Sequence, residues 1–129
     1  MHALNPLRCT RIVSTAEALD RVVWPAGVPV CRLAADEVLL LDDGEHLSIA
    51  IDDPHAIRRV DTAWAGMTMR EEDARVWLAG AAEWAPPETT PAFVQGLVMG
   101  LPVKLWWAAG QVRVIVAAPF AADFAERLR

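Results

Sequence analysis

The 129-residue chain is long enough to bury a core of its own, and its 54% of hydrophobic residues excludes a largely disordered polypeptide. Its net charge of −5 gives no reason to expect nucleic acid or an anionic membrane as a partner. The only cysteines, Cys9 and Cys31, fit no zinc or redox spacing, and no stretch is typical of a membrane span or a signal peptide. We therefore expect a cytoplasmic protein with two buried thiols.

The first elements of the chain are predicted to be a strand and a capped helix. Residues 8–13 favour a short strand. Ser14-Thr15-Ala16-Glu17 has the pattern of a capping box, in which the serine side chain accepts from a backbone amide and Glu17 reaches back. The helix that follows is expected to end before Pro25.

The remainder of the first half is predicted to contain three strands and a helix. Residues 28–33 and 37–41 are expected to form two of the strands. Asp42-Asp43-Gly44 is a hairpin-turn signal, and the alternating residues 46–51 are expected to return as the third strand. Asp53 is expected to cap a short helix that has Pro54 in its first turn.

The second half is predicted to repeat this order of elements. A strand over 62–68 leads into a second capping box, Thr68-Met69-Arg70-Glu71, and a helix. A proline-rich linker follows, and Pro119 is expected to begin a final helix with Phe120 and Phe124 on one side. The strands predicted between the linker and this helix are residues 93–99, 102–107 and 111–116.

The two halves share a local pattern that predicts an internal duplication. GVPVCRLAADEVLLL begins at Gly27 and GLPVKLWWAAGQVRVIV begins at Gly100; each has Gly-x-Pro-Val, a strand, two alanines with a turn, and a second strand. The alternative is chance similarity between two hydrophobic hairpins. Because the order of elements also agrees, we expect one domain, 1–129, built of β-α-β-β-α halves over about 8–60 and 62–129. The predicted fold class is α+β, a ferredoxin-like sandwich of antiparallel or mixed sheet with helices on one side.

The polar residues near the middle of the chain are candidates for a metal site. Carboxylates and histidines cluster near the middle of the chain and could form a hard-metal site. Turn and cap chemistry explains most of them, so we predict no metal site. No histidine is tied to a nucleophile and the glycines form no phosphate-binding loop, so we also predict no catalytic residue. The residues of this cluster are Asp42, Asp43, Glu45, His46, Asp52, Asp53 and His55.

Tryptophan is the unusual feature of the composition, with six residues and no tyrosine. Trp106 and Trp107 are adjacent, and successive side chains of a strand point to opposite faces, so one of them is expected to face away from the core. That indole would meet a helix, another subunit or a flat ligand. Tryptophan is enriched at interface hot spots, and the residues predicted to form an interface are Trp64, Trp84, Trp106 and Trp107.

Three segments resemble a known family. VCRLAADEVLLL (30–41), AGMTMREEDARVWLAG (65–80) and VAAPFAADFAERL (116–128) are similar to the folate-binding domain of the glycine-cleavage T-protein and its relatives, which include the gamma subunit of sarcosine oxidase. The chain departs from the aminomethyltransferases in lacking their Asn-Asp dipeptide and Gly-Gln-Glu-type segment, and it is much shorter. The resemblance therefore implies an accessory chain like the gamma subunit, without a cofactor.

Two functions are predicted from these observations. The first is a non-catalytic accessory or assembly domain that binds a protein partner, or a second copy of itself, through the tryptophan-containing interface. It predicts that one of Trp106→Ala and Trp107→Ala breaks assembly and leaves the fold intact. The alternative is a folate- or pterin-like binding protein, or a minimal aminomethyltransferase-like enzyme, which needs a concave pocket with convergent polar groups.

Overall fold

The computed structural model describes residues 4–42, 44 and 47–128. The chain divides into an N-terminal unit, Arg8–Thr62, and a C-terminal unit, Met1–Leu7 with Ala63–Arg129. Strands make up 44% of the structure and helices 21%. Two of the strands, β1 (Asn5–Val13) and β4 (Ile57–Arg70), contain residues of both units.

The N-terminal unit is built on antiparallel pairing around its third strand. β3 (Glu37–Leu40) pairs with β1 on one side and with β2 (Val30–Ala34) on the other. Helix α1 (Ala16–Asp20) lies in the connection between β1 and β2. The buried residues on one face of these elements form a hydrophobic cluster, to which Trp24 and other partly buried side chains add. Its fully buried members are Ile12, Leu19, Val38 and Leu40.

The first predicted capping box is replaced by a different arrangement. The helix cap is Thr15, whose Oγ1 accepts from the backbone N–H of Ala18, while Ser14 Oγ donates to Asp53 Oδ2 at 2.7 Å. The helix has only five residues and its C-cap is Arg21. The β-branched pair Val22-Val23, which has a low helix propensity, follows directly. Ser14 therefore ties the start of α1 to a distant loop.

The segment before β4 does not contain the predicted strand or helix. Leu47, Ile49 and Ile51 pack against the N-terminal hydrophobic cluster, which explains their alternation, but residues 47–51 belong to no strand. Asp53 caps no helix: its Oδ1 accepts from the His55 N–H, which makes a turn, and the chain then extends into β4 at Ile57. The Asp43, Glu45 and His46 part of the predicted turn and strand lies outside the described residues.

The Ser14–Asp53 contact predicts a measurable pKa change. The hydrogen bond from Ser14, followed by those from the backbone N–H groups of His55 and Thr15, holds the pKa of Asp53 below its ordinary value. A carboxylate with a lowered pKa stabilises the fold above the unfolded pKa, near pH 4, and this contribution is lost as pH falls through the folded pKa. Ser14→Ala should raise the pKa of Asp53 toward the ordinary value, as measured by NMR titration of its side-chain carboxyl carbon.

Thr15→Ala is the matched control for this measurement. It also removes one hydroxyl at the start of α1, but it leaves the Ser14 side chain and the backbone donors to Asp53 in place. The Asp53 titration should then remain close to that of the wild type. An unchanged midpoint in Ser14→Ala would show that the serine does not set this pKa.

The C-terminal unit contains an antiparallel sheet with the strand order β4-β7-β6-β5. Two-residue turns join its last three strands, and each has positive φ at both positions: Met99 and Gly100 in the first, Ala109 and Gly110 in the second. Two helices accompany this sheet. The elements after β4 are α2 (Glu71–Ala81), β5 (Ala92–Val98), β6 (Leu101–Ala108), β7 (Gln111–Ala117), a 3₁₀ turn (Ala118–Phe120) and α3 (Ala121–Arg127).

The helices pack on one face of this sheet. Ala74 and Leu78 of α2 and Phe124 of α3 belong to the same hydrophobic cluster as the buried side chains of β4, β6 and β7. Trp77 also contacts Phe124, edge to face, with ring centroids 6.0 Å apart. The second predicted capping box does not form, because Thr68 remains in β4 and the N-cap is Arg70 with no side-chain cap bond. We call this side of the sheet the core face.

The predicted ferredoxin-like sandwich is wrong. The structure is mostly antiparallel sheet, and among its described residues the first half has no helix after its strand pair. The segment that was expected to supply that helix begins the 14-residue strand β4 instead. Whether the two halves arose by duplication stays a prediction.

No helix of the described chain has both the length and the apolar character needed to cross a membrane.

Candidate functional site

The adjacent tryptophans lie on opposite faces of β6. Leu101, Val103, Leu105 and Trp107 are buried on the core face, and Pro102, Lys104 and Trp106 alternate with them on the other face. Trp107 is 0% exposed, whereas Trp106 is half-buried. The register that pairs Trp107 with Val112 and Trp106 with Arg113 fixes this assignment.

Strand register brings Trp64 and two residues of β5 to the same face as Trp106. Phe93 is directly opposite Trp106, and Leu97 is directly opposite Pro102. Trp64 of β4 pairs with Ala117 of β7, which alternates with the buried Val116. We call this side of the sheet the tryptophan face. Part of it is covered, because Ile115, opposite Lys104, is buried there and Leu7 packs against Gly66. Its large or charged side chains that are not fully buried are Trp64, Phe93, Leu97, Pro102, Lys104, Trp106 and Arg113.

The tryptophan face combines aromatic groups with positive charge. Lys104 Nζ lies 5.0 Å from the ring centroid of Trp64, within the range of a cation–π contact. Arg113 is half-buried beside Trp106 and makes no hydrogen bond or ion pair with the described residues. The sheet residues of the C-terminal unit, 63–70, 92–98, 101–108 and 111–117, include no aspartate or glutamate. These strand segments therefore contribute cations and no carboxylate to the face, although the whole chain has a net charge of −5.

A shallow depression lies on the tryptophan face beside Lys104. It has a volume of about 250 Å³, and Leu97, Pro102 and Lys104 form part of its lining, with Gln95, Gly96 and Val103. Leu97 is 59% exposed, which is high for a leucine in a strand. Since β5 is the last strand of the C-terminal order, this depression lies at the edge of the sheet.

Trp84 lies away from Trp64 and Trp106. Its indole Nε1 donates to the backbone carbonyl of Leu97 at 2.9 Å, and its ring occupies the position that a Cβ at Gly96 would need. Gly96 pairs with the buried Val103, so this ring covers the core-face side of β5. The ring forms one wall of a cavity of about 410 Å³, which we call the Trp84 pocket and which Ala81, Glu83, Leu97, Met99 and Gly100 also line.

Trp107 belongs to the core and is therefore not part of the candidate surface. The guanidinium of Arg75 stacks 5.0 Å from its ring centroid, and Arg75 also donates to Glu71 and to the carbonyl of Pro87. The indole Nε1 of Trp107 is buried and has no hydrogen-bond partner among the residues that the structure describes. Of the four tryptophans predicted to form an interface, Trp64 and Trp106 share one face, Trp84 lines the pocket and Trp107 is internal.

The sequence reasoning missed five contributors to the tryptophan face: Phe93, Leu97, Pro102, Lys104 and Arg113. The alternation of β5 and β6 was the available signal, because it places Phe93 and Leu97 in phase with the outward indole once the hairpin turn at Met99-Gly100 is known. Lys104 is also the only lysine of the chain.

The other candidate sites do not come together in the described structure. Asp52 pairs at 3.9 Å with Arg21, and Asp53 is taken up by Ser14 and by backbone amides. Among residues 4–42, 44 and 47–128, no group of three or more His, Cys, Asp or Glu side chains could hold a metal ion. Cys9 and Cys31 are both buried and are not joined in a disulfide.

Comparison with known proteins gives no assignment for this geometry. No protein-family model matches the chain, and no curated protein matches it. The resemblance to the T-protein domain and to the gamma subunit of sarcosine oxidase, and the folate-type alternative that follows from it, stay predictions.

Proposed function

We propose that the chain is a protein-docking domain that binds an acidic, partly apolar surface of another protein through the tryptophan face. The observation that carries this proposal is the grouping of Trp64, Trp106 and the exposed Leu97 on the side of the sheet opposite α2 and α3. Tryptophan and arginine are the residue types most enriched at interface hot spots. Half-exposed rings still have apolar surface that a partner can remove from water.

The charge of the face specifies the chemistry of the partner. Lys104 and Arg113 supply positive charge on strands that contain no carboxylate, whereas the chain as a whole has a net charge of −5. Complementary potentials speed association and fix the orientation of a complex. In a two-fold symmetric dimer this face would meet the same face of the second copy, and like charges would oppose each other. A carboxylate-bearing surface with apolar anchors therefore fits the face better.

The proposal is tested by a quantitative pull-down from the source lysate with charge-reversal variants. Arg113→Glu should abolish capture of a stoichiometric partner, because it places a negative charge beside Trp106. Trp106→Ala should weaken binding by about tenfold or more, in the range of a hot-spot truncation. Binding of the captured protein is then measured with purified components at low and high salt, and affinity should fall as salt screens the charges.

Arg21→Glu is the matched control, since it makes the same charge change on an exposed side chain of the N-terminal unit. Binding to this variant should equal wild-type binding. If the same proteins bind equally to Arg113→Glu and Arg21→Glu, the tryptophan face is not the docking surface. If light scattering shows a dimer that Trp106→Ala dissociates, the occupant is a second copy and the proposed acidic partner is wrong.

A further inference from the structure

We propose that the Trp84 pocket binds a small organic cation, an alkylammonium group attached to an apolar body. Leu97 borders both sites, but the inference does not depend on the docking function, because it rests on Trp84, Glu83 and the cavity beside the end of α2 and not on Trp64, Trp106 or Arg113. Its volume of about 410 Å³ lies in the lower part of the range for small-molecule sites.

The aromatic wall of the pocket is held in place before any ligand arrives. The hydrogen bond from Trp84 Nε1 to the Leu97 carbonyl fixes the indole at one end. Because Gly96 has no side chain, the ring packs directly against the strand, with ring atoms 2.6–3.2 Å from the position that a Cβ would occupy. A fixed ring binds without a large loss of side-chain freedom. Leu97, Met99 and Ala81 complete an apolar lining.

The charged and dipolar groups at the pocket favour a cation. Glu83 is exposed in the pocket lining and makes no ion pair or hydrogen bond with the described residues. The pocket also lies at the C-terminal end of α2, which carries the negative end of the helix dipole and has no basic residue in its last turn. An ammonium group at the pocket mouth would meet both, and the indole face adds a cation–π contribution.

The nearest cation of the chain does not cancel this preference. Arg127 approaches the pocket from α3 and donates to the carbonyl of Met99, but its guanidinium is paired with Asp123 at 3.0 Å. The Arg127–Asp123 pair is neutral in sum. Glu83 therefore remains the unpaired charge in the pocket lining.

The test is an NMR titration of the ¹⁵N-labelled full chain with hexylammonium and with 1-hexanol, which has the same apolar body and no charge. The indole N–H resonance of Trp84 is assigned by its loss in Trp84→Phe. Hexylammonium should shift this resonance in a saturable way. The dissociation constant for 1-hexanol should be higher by roughly threefold to fivefold, the size expected for one exposed ionic contact.

Glu83→Gln and Glu88→Gln provide the matched pair of variants, because each removes one exposed carboxylate and only Glu83 lines the pocket. Glu83→Gln should weaken the binding of hexylammonium and leave the binding of 1-hexanol unchanged, and Glu88→Gln should change neither. Equal binding of the two probes to the wild type would overturn the proposed preference for a cation. Shifts confined to indoles other than Trp84 would overturn the assignment of the pocket.

Discussion

Trp107→Ala is expected to lower the free energy of unfolding by about 3–5 kcal/mol, the range for truncating a fully buried aromatic side chain. Trp107 is 0% exposed and lies within the hydrophobic cluster of the C-terminal unit, with the Arg75 guanidinium stacked on its ring. Removal of the indole leaves a cavity between the sheet and α2. Trp106→Ala should cost only about 1–2 kcal/mol, since its ring is half-buried on the other face.

Urea unfolding followed by far-ultraviolet circular dichroism measures both changes without relying on the tryptophan signal. Trp107→Phe separates the effect of volume from that of the indole N–H. No described residue accepts a hydrogen bond from that buried N–H, so its removal relieves a penalty while most of the ring volume is kept. We expect a loss below about 1.5 kcal/mol. Equal destabilisation by Trp106→Ala and Trp107→Ala would contradict the assignment of the two faces.

The C-terminal unit was largely predictable from sequence because its signals are local. The strands predicted over 93–99, 102–107 and 111–116 agree within one residue with β5, β6 and β7. Two-residue turns at Met99-Gly100 and Ala109-Gly110 fix the register of these hairpins. Once one face of each strand is buried, the alternation of apolar and polar side chains along the strand follows from the geometry of the strand.

The prediction for the first half was wrong where a local sequence pattern is compatible with more than one structure. The alternation of Leu47, Ile49 and Ile51 reflects burial on one side of an extended segment that has no strand partner. Asp53-Pro54 has the composition of a helix start, but the Asp53 side chain closes a turn and bonds Ser14, 39 residues earlier. A contact at that separation leaves no trace in a short window of sequence, so the pattern predicts a helix where the chain makes a turn and continues into β4.

The candidate site was only partly predictable, because its residues are brought together by pairing between strands that are distant in sequence. A one-residue change of register exchanges the two faces of a strand, so the sequence could state that one of Trp106 and Trp107 faces outward but not which one. The grouping of Trp64 with Trp106 needs the pairing of three strands, β4 with β7 and β7 with β6. The separate position of Trp84 depends on its hydrogen bond to Leu97, 13 residues away.

Gly96→Val is expected to destabilise the protein by about 1–3 kcal/mol, the usual cost of forcing extra atoms into a packed site. Glycine is ordinarily poor in a strand, and valine would be favoured in β5 if space were available. A Cβ at this position would lie 2.6 Å from Trp84 Nε1 and 2.9 Å from Cε2, so the ring must leave its seat. The hydrogen bond to the Leu97 carbonyl is then lost with it.

A double-mutant cycle with Trp84→Ala isolates this steric cause from the strand preference. Once the indole is absent, Gly96→Val meets none of these ring atoms and should be neutral or stabilising, so the sign of its effect changes between the two backgrounds. Chemical unfolding of the four proteins measures the coupling, which should be about 1–3 kcal/mol for residues in contact. A similar cost of Gly96→Val in both backgrounds would mean that β5, and not the Trp84 ring, requires the glycine. If the effect of Gly96→Val on the free energy of unfolding changes sign, the glycine is required because the Trp84 indole, which lines the pocket, packs against it.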